Sequence, residues 1–461
     1  MQTNFRRVRL EDRLQAEPES RTRIPAGRLV SLDAYRGFVM LAMVSGGLGL
    51  ARIAKDVYPE SHIWRAIGYQ ADHVEWGGCG FWDLIQPSFM FIVGVAMPFS
   101  YAARRNHGAS WLNLAFHALI RSLVLVLLGV FLYSFGYPNT HWIFKNVLAQ
   151  IGLGYFFVFL LLELRWYWQL LAAFAILAGT WFAFDRYPIL TPDEVAAKGV
   201  TGRWEYYRGY AAHWNKNTNF ATEADRHFLN WFPRKKFEGK EVVANPYQQD
   251  DGYQTLNFVP SMSTMLFGVV AGVLLQSALG FGAKFAIVLV WGLAFLAAGM
   301  ALDHTIWPEK CPLIGDPVPT IDAGYDRPFL ERSWTVCPIV KKIWTPTWTI
   351  FSTGWTLLLL AGFYGVIEGI GWRAWAFPFV VVGLNSIAIY LLANTIGGWI
   401  TENVARHTNW DWLNTWLEGP WLAPSRSGAG PFHEMRARIA TLVVLWLFCF
   451  WLYRQRVFLK I

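Results

Sequence analysis

A chain of 461 residues that is 54% hydrophobic and only 16% charged, with 26 tryptophans and a mean hydropathy of +0.28, is excluded from the soluble globular class, where charged residues make up about 25%. The net charge of +8 does not mark a nucleic-acid partner, because the basic residues fall at the ends of apolar runs, where they set membrane topology. Four cysteines are too few for a disulfide scaffold.

In chain order, residues 1–28 come first. They carry Arg6, Arg7, Arg9, Arg13, Arg21, Arg23 and Arg28 and no apolar core. That composition predicts a disordered basic tail rather than a cleavable signal. Hydropathy then predicts about ten membrane spans, each near the ~20 residues needed to cross the hydrocarbon. They are Val30–Ala51, Cys79–Ser100, Leu112–Phe135, Asn146–Leu164, Trp166–Phe184, Phe258–Gly280, Ala283–Leu302, Trp348–Ile370, Ala374–Ile400 and Ile439–Tyr453. The expected fold is an all-α polytopic membrane protein, one transmembrane domain over residues 29–461. Its long polar loops cover 185–257, 303–344 and 401–438. Alternate connections carry Arg104 and Arg105, Arg165, Lys284, Arg373, and the tail Arg454, Arg456 and Lys460. With the arginine-rich start they place both termini in the cytoplasm and the long loops outside.

The chemistry gathers around one stretch, Asp72-His73-Val74-Glu75-Trp76-Gly77-Gly78, which runs into the second span with Asp83 just inside it. A histidine takes or gives a proton near neutral pH, and a carboxylate at the start of a span needs a partner or a task. Asp72 and Asp83 are candidates to orient the His73 ring, as in acyl transfer. The plain alternative is a solvated loop histidine. Asp33 and Arg36 stand three apart on one helical face and can pair. Asn257 and Ser261 flank Pro260 at the start of the sixth span, and Asn385 and Ser386 lie inside the ninth. Such groups bridge helices or polarise a carbonyl. Lys341-Lys342 and Trp344 read as an aromatic interface anchor. Trp204, Tyr206, Tyr207, Trp214 and Trp231 either stack on sugar rings or pack their own loop. Cys79 and Cys449 are expected as buried thiols, and Cys311 and Cys337 share a loop that allows a disulfide. No P-loop, GxSxG, HExxH or dinucleotide fingerprint occurs, and no histidine cluster has metal-ligand spacing. His107 and His117 read as interfacial or packing residues. No internal repeat is evident, and polar residues gather at the faces, so a polar-solute transporter ranks behind an enzyme.

Ser31-Leu32-Asp33-Ala34-Tyr35-Arg36-Gly37 resembles the SLDxxRG opening of the heparan-α-glucosaminide N-acetyltransferase family. His73, Trp76 and Gly78, then Asp83–Pro87 and Phe89–Gly94, resemble its H-x-x-W-x-G…D-x-x-x-P…F-x-F-x-x-G block. Asn146–Tyr155 resembles its GVLQRIAL segment, with Ile151 where the family has arginine. Pro260–Gly272, Lys342–Thr345 and Gly383–Ile387 resemble three further motifs, in the family's order. The resemblance implies acetyl-CoA as cytoplasmic co-substrate, no metal, and an amino sugar or glycan acceptor on the far side. It implies His73 as active-site base or acyl carrier. The family's functional asparagine near the end of the first span falls here on Gly47. On this reading Asn385, Ser386 or Trp76 meets the oxyanion. Asp33, Arg36, Arg104, Arg105 and Arg121 are placed to hold the coenzyme. Trp76, Asn257 and Trp344 are placed at the acceptor. An O-acyltransferase of a polysaccharide is the second enzyme reading. The expected setting is an integral protein of a bacterial inner (plasma) membrane among lipid, with no nucleic acid and with a homodimer left open.

Overall fold

The structure, a computed structural model, describes residues 29–232, 235–238, 241–244, 251–303, 336–407 and 432–459. The expected tail at 1–28 lies outside these residues. So does Cys311, and with it the Cys311–Cys337 pairing.

The helices, in chain order, begin with α1 (Val30–Ser45), α2 (Leu50–Asp56) and α3 (His62–Gln70). Then come α4 (Ile85–Asn106), α5 (Trp111–Ser134), α6 (Val147–Leu161) and α7 (Trp166–Arg186). The short α8 (Pro192–Ala197) and α9 (Phe220–Leu229) precede α10 (Phe258–Gln276), α11 (Phe281–Leu302) and α12 (Pro346–Tyr364). The last are α13 (Phe377–Leu384), α14 (Ser386–Thr395), α15 (Gly397–His407) and α16 (His433–Arg454). Among the described residues, eight helices are long and apolar enough to cross a membrane. The predicted fourth span is α6, whose 15 residues reach only about 22 Å at ~1.5 Å per residue. The predicted ninth is the pair α13 and α14, bent by 68° at Asn385.

Small residues decide which helices approach. Gly268 and Gly272 stand four apart on α10 and face α4, and a Cβ on Gly268 would lie 2.2 Å from the Phe91 carbonyl oxygen. Gly94 answers from α4, 2.0 Å from the Met265 carbonyl oxygen on the same measure. Backbones this close gain dispersion and leave no room for a side chain. These two helices form the centre: 72% of each apolar window is buried, against 17% for α11 on the periphery. Polar bonds tie neighbours to the centre. Tyr35 Oη donates to Ser88 Oγ at 3.0 Å, joining α1 to α4, and Ser263 Oγ donates to the Ala173 carbonyl at 2.9 Å, joining α10 to α7.

The first span is broken where the sequence predicts continuity. After Ser45, residues Gly46, Gly47, Leu48 and Gly49 all have positive φ, between 52° and 70°. Glycine tolerates that region and most residues do not. The chain leaves α1 there and continues as α2.

The polar stretch 185–257, expected as a loop, carries structure of its own: α8, α9 and an antiparallel hairpin of β1 (Lys235–Glu238) and β2 (Glu241–Ala244). The all-α expectation is corrected to that extent. This cap has a separate apolar core in which Trp76, Phe184, Tyr206, Tyr207, Trp214, Val340 and Ile343 meet.

Candidate functional site

The segment between α3 and α4 is held at both ends by local bonds. Gln70 Oε1 accepts from Phe81 N at 2.7 Å. Asp83, at the third position of the turn Phe81–Leu84, accepts from Gly80 N at 3.0 Å and Val74 N at 3.3 Å through Oδ2. A carboxylate here satisfies backbone donors that a helix start leaves over. Its other oxygen, Oδ1, lies 2.8 Å from His73 Nδ1. Asp72 does not take that role: its Oδ1 accepts from the backbone N of His73 at 2.7 Å, and the side chain is exposed.

A second segment completes the cluster from far along the chain. Gly78 N donates to the Ile339 carbonyl at 3.0 Å, and Gly77 pairs with Val340 as an antiparallel bridge. Thr345 Oγ1 donates to the Pro338 carbonyl at 2.8 Å and accepts from Val340 N and Trp348 N. Asn257 Nδ2 donates to the Lys342 carbonyl at 2.8 Å. These bonds fix the turn that delivers Lys341, whose Nζ lies 3.2 Å from Asp83 Oδ1 and 3.0 Å from His73 Nδ1. Asp83 and Lys341 are almost wholly buried, at 1% and 4% side-chain exposure, whereas His73 is 43% exposed.

Two N–H groups thus converge on one carboxylate oxygen, which has lone pairs for both. With its proton on Nδ1, His73 donates to Asp83 Oδ1 and keeps Nε2 as its acceptor, while the Lys341 ammonium, a donor only, is served by the same carboxylate oxygen. Burial pulls the Lys341 ammonium below the usual lysine range, and the Asp83 carboxylate opposes that pull. Lys342 is lowered too, by burial first and by Lys216 after it.

His73 and Lys341 line a cavity of about 400 Å³, within the usual size range for small-ligand sites. Its other polar walls are Gln86, Tyr133, Lys145, Asn146, Tyr253, Tyr390 and Asn394, and Met43, Val44 and Gly46 close it from the end of α1. Lys145 is ion-paired with Asp251. Tyr253 has both lysine ammoniums near its ring, Lys341 at 5.9 Å and Lys342 at 5.6 Å from the centroid.

The remaining sequence-derived candidates lie elsewhere. Trp76 is buried in the cap, donates through Nε1 to the Trp214 carbonyl at 3.0 Å and stacks on Tyr206. Tyr206, Tyr207 and Trp214 are buried with it, while Trp231 is 77% exposed. Trp344 is buried against Trp348. Asn385 Nδ2 donates to the Val457 carbonyl at 3.1 Å and its Oδ1 accepts from Leu459 N at 2.9 Å, so it pins the final residues at the α13–α14 break. Neither Asn385 nor Ser386 lines the cavity; Tyr390 and Asn394, one and two turns beyond Ser386, do. Arg104 sits near the end of α4, roughly 29 Å from Ile85 at ~1.5 Å per residue. Arg105 pairs with Glu163 and the Arg121 guanidinium lies over the Tyr155 ring. Asp33 and Arg36 pair at 3.4 Å at the start of α1, opposite the end that meets the cavity. The five coenzyme candidates thus lie away from the His73 end of the helices. Gly47, where the family's asparagine would stand, has φ 65° and no room: a Cβ would lie 2.6 Å from the Ala71 carbonyl oxygen.

No family model matches the chain. The heparan-alpha-glucosaminide N-acetyltransferase of Mus musculus is 28% identical over 155 residues. The match covers 32% of this chain and 21% of that protein, so the chain spans about a fifth of that relative's length.

Proposed function

We propose that this chain is a membrane-embedded acyltransferase that moves an acetyl group from acetyl-CoA to the amine of an amino sugar or glycan. The distant similarity to an N-acetyltransferase supports the reaction class. The observation that carries the reading is the His73–Asp83 contact of 2.8 Å on the wall of a 400 Å³ cavity. An amine attacking a thioester must lose a proton, and a tautomer-fixed imidazole with a free acceptor nitrogen is suited to take it. In that step the amine nitrogen bonds to the acetyl carbon, the carbon–sulfur bond breaks, and Nε2 of His73 receives the amine proton. The thiolate leaves and is protonated in turn. The cavity is large enough for the acetyl end of the donor and a sugar ring, not for a whole coenzyme. For the nucleotide we propose Arg36, Arg104, Arg105 and Arg121 at the other end of the helices, with donor and acceptor entering from opposite ends.

Purified protein in nanodiscs, given acetyl-CoA labelled in the acetyl group and a panel of amino sugars, is expected to release CoA and label the sugar. His73→Ala is expected to stop both while eluting as the parent does in size exclusion. Unchanged turnover in that variant would remove the base from this reading. Label on a sugar hydroxyl rather than an amine would redirect it to O-acyl transfer.

A further inference from the structure

Lys341 has no task in the step written above, yet a buried ammonium is costly unless paired. Its place is specific. Nζ lies 3.2 Å from Asp83 Oδ1 and 3.0 Å from His73 Nδ1, so it meets the pair at the ring nitrogen that faces the carboxylate. Although Lys341 lines the cavity, its ammonium is engaged by Asp83 Oδ1 and lies against Nδ1. It acts on the charge that the imidazole feels.

A lone carboxylate 2.8 Å from an imidazole fixes the tautomer but also stabilises the doubly protonated ring. An imidazolium accepts no proton and is useless as a base. The other groups near the ring do not correct this. Asp72 is a second carboxylate beside it, bonded to the His73 backbone. Glu75 is taken by the Tyr206 hydroxyl, Lys145 by Asp251, and Lys342 lies over the Tyr253 ring. Cys79 is half-buried, and desolvation holds its thiol well above the usual range, so it brings no charge. Among the described groups packed around the ring, only Lys341 brings a cation into contact with both Asp83 and His73.

We propose that Lys341 is a positioning residue for the transfer reaction: its ammonium shares Asp83 Oδ1 with the His73 ring and offsets the charge of the carboxylate that orients it. This rests on the reading of His73 as the base. It predicts opposite displacements on removing either charge. Without Lys341, Asp83 pulls a second proton onto the ring. Without the Asp83 charge, Lys341 repels one.

The test reads the ring directly. Diethylpyrocarbonate modifies neutral imidazole and not imidazolium, and His73 is exposed enough to react. Labelling at His73 is followed by peptide mass spectrometry from pH 5 to 9 in the full chain. Lys341→Met is expected to move the half-labelling pH up by about one unit or more, a tenfold fall in reactive ring at a fixed acidic pH. Asp83→Asn is expected to move it down, and Lys341→Arg to leave it in place. An unmoved midpoint in either neutralising variant, or displacements of the same sign, overturns the proposal. If one neutralising variant fails to fold, the other decides. Labelling needs no acetyl transfer. A chain that labels as expected but never releases CoA would sink the functional reading and leave the role of Lys341 standing.

Discussion

Asp83→Asn is the substitution whose cost can be worked out in most detail. Asparagine keeps one oxygen, which can still accept from Gly80 N and Val74 N. The other oxygen becomes an NH₂ group that meets two donors, His73 Nδ1 and Lys341 Nζ. The ring must then turn its bare nitrogen inward and place its proton on Nε2, the atom the proposed reaction uses as proton acceptor. Lys341, 4% exposed, is left without its counter-charge. Unit charges 3.2 Å apart interact by about 5 kcal/mol at an effective dielectric near ~20, and breaking a buried pair on one side costs about 3–5 kcal/mol. A fall in Tm of order 10 °C is expected, using the scaling known for large domains. Turnover is expected to fall by about 10²–10⁴-fold. Pairing it with Lys341→Met separates the two losses. The double variant carries no buried charge at these two positions, so its Tm should lie well above the value that the sum of the single losses gives, while turnover stays low. Differential scanning fluorimetry in detergent, on four proteins of the cycle, measures this. Strict additivity of the two Tm changes would refute the claim that Asp83 and Lys341 are a coupled pair.

Three further outcomes follow from other parts of the molecule. Asp225 is buried in the cap, accepts from Thr255 N at 2.8 Å, and has a second oxygen with no hydrogen-bond partner; burial pushes its carboxyl up from 3.8 to about 7. The folded protein then binds a proton that the unfolded chain releases, so stability is full below about pH 4 and is lost as pH rises to about 7. The whole span is worth about 4 kcal/mol, and in Asp225→Asn the Tm should be flatter across pH 5–8. Gly268→Ala places a methyl 2.2 Å from the Phe91 carbonyl oxygen, and over-packing of this kind costs about 1–3 kcal/mol; an unchanged Tm would contradict the close α4–α10 crossing. Asn385→Ala removes two hydrogen bonds to the final residues, worth about 1–3 kcal/mol together; it should lower Tm and leave kcat/KM close to the parent, and a hundredfold loss of kcat/KM would return Asn385 to the chemistry.

Hydropathy makes the spans legible because bilayer thickness fixes their length. That is why each predicted span meets a helix or a bent helix pair. It does not reveal the left-handed turn at Gly46–Gly49: three glycines there read equally well as close packing, and only the backbone separates the two uses. The His73–Asp83 contact was legible for a local reason. Ten residues apart, across a turn and a helix start, they have few ways to avoid each other. Lys341 was not, because 258 residues separate it from Asp83. Read alone, two lysines before Trp344 at a span's edge match an interface anchor. What turns one of them inward is the bridge from Gly77 to Val340 and the Asn257 bond to the Lys342 carbonyl. Asn257 and Trp76 thus matter to the site by holding its frame rather than by lining it. On the proposed function, the base, the carboxylate that orients it and the cation that offsets that carboxylate come from segments that share no periodicity. Pattern reading finds the first pair, and only the folded chain brings in the third member.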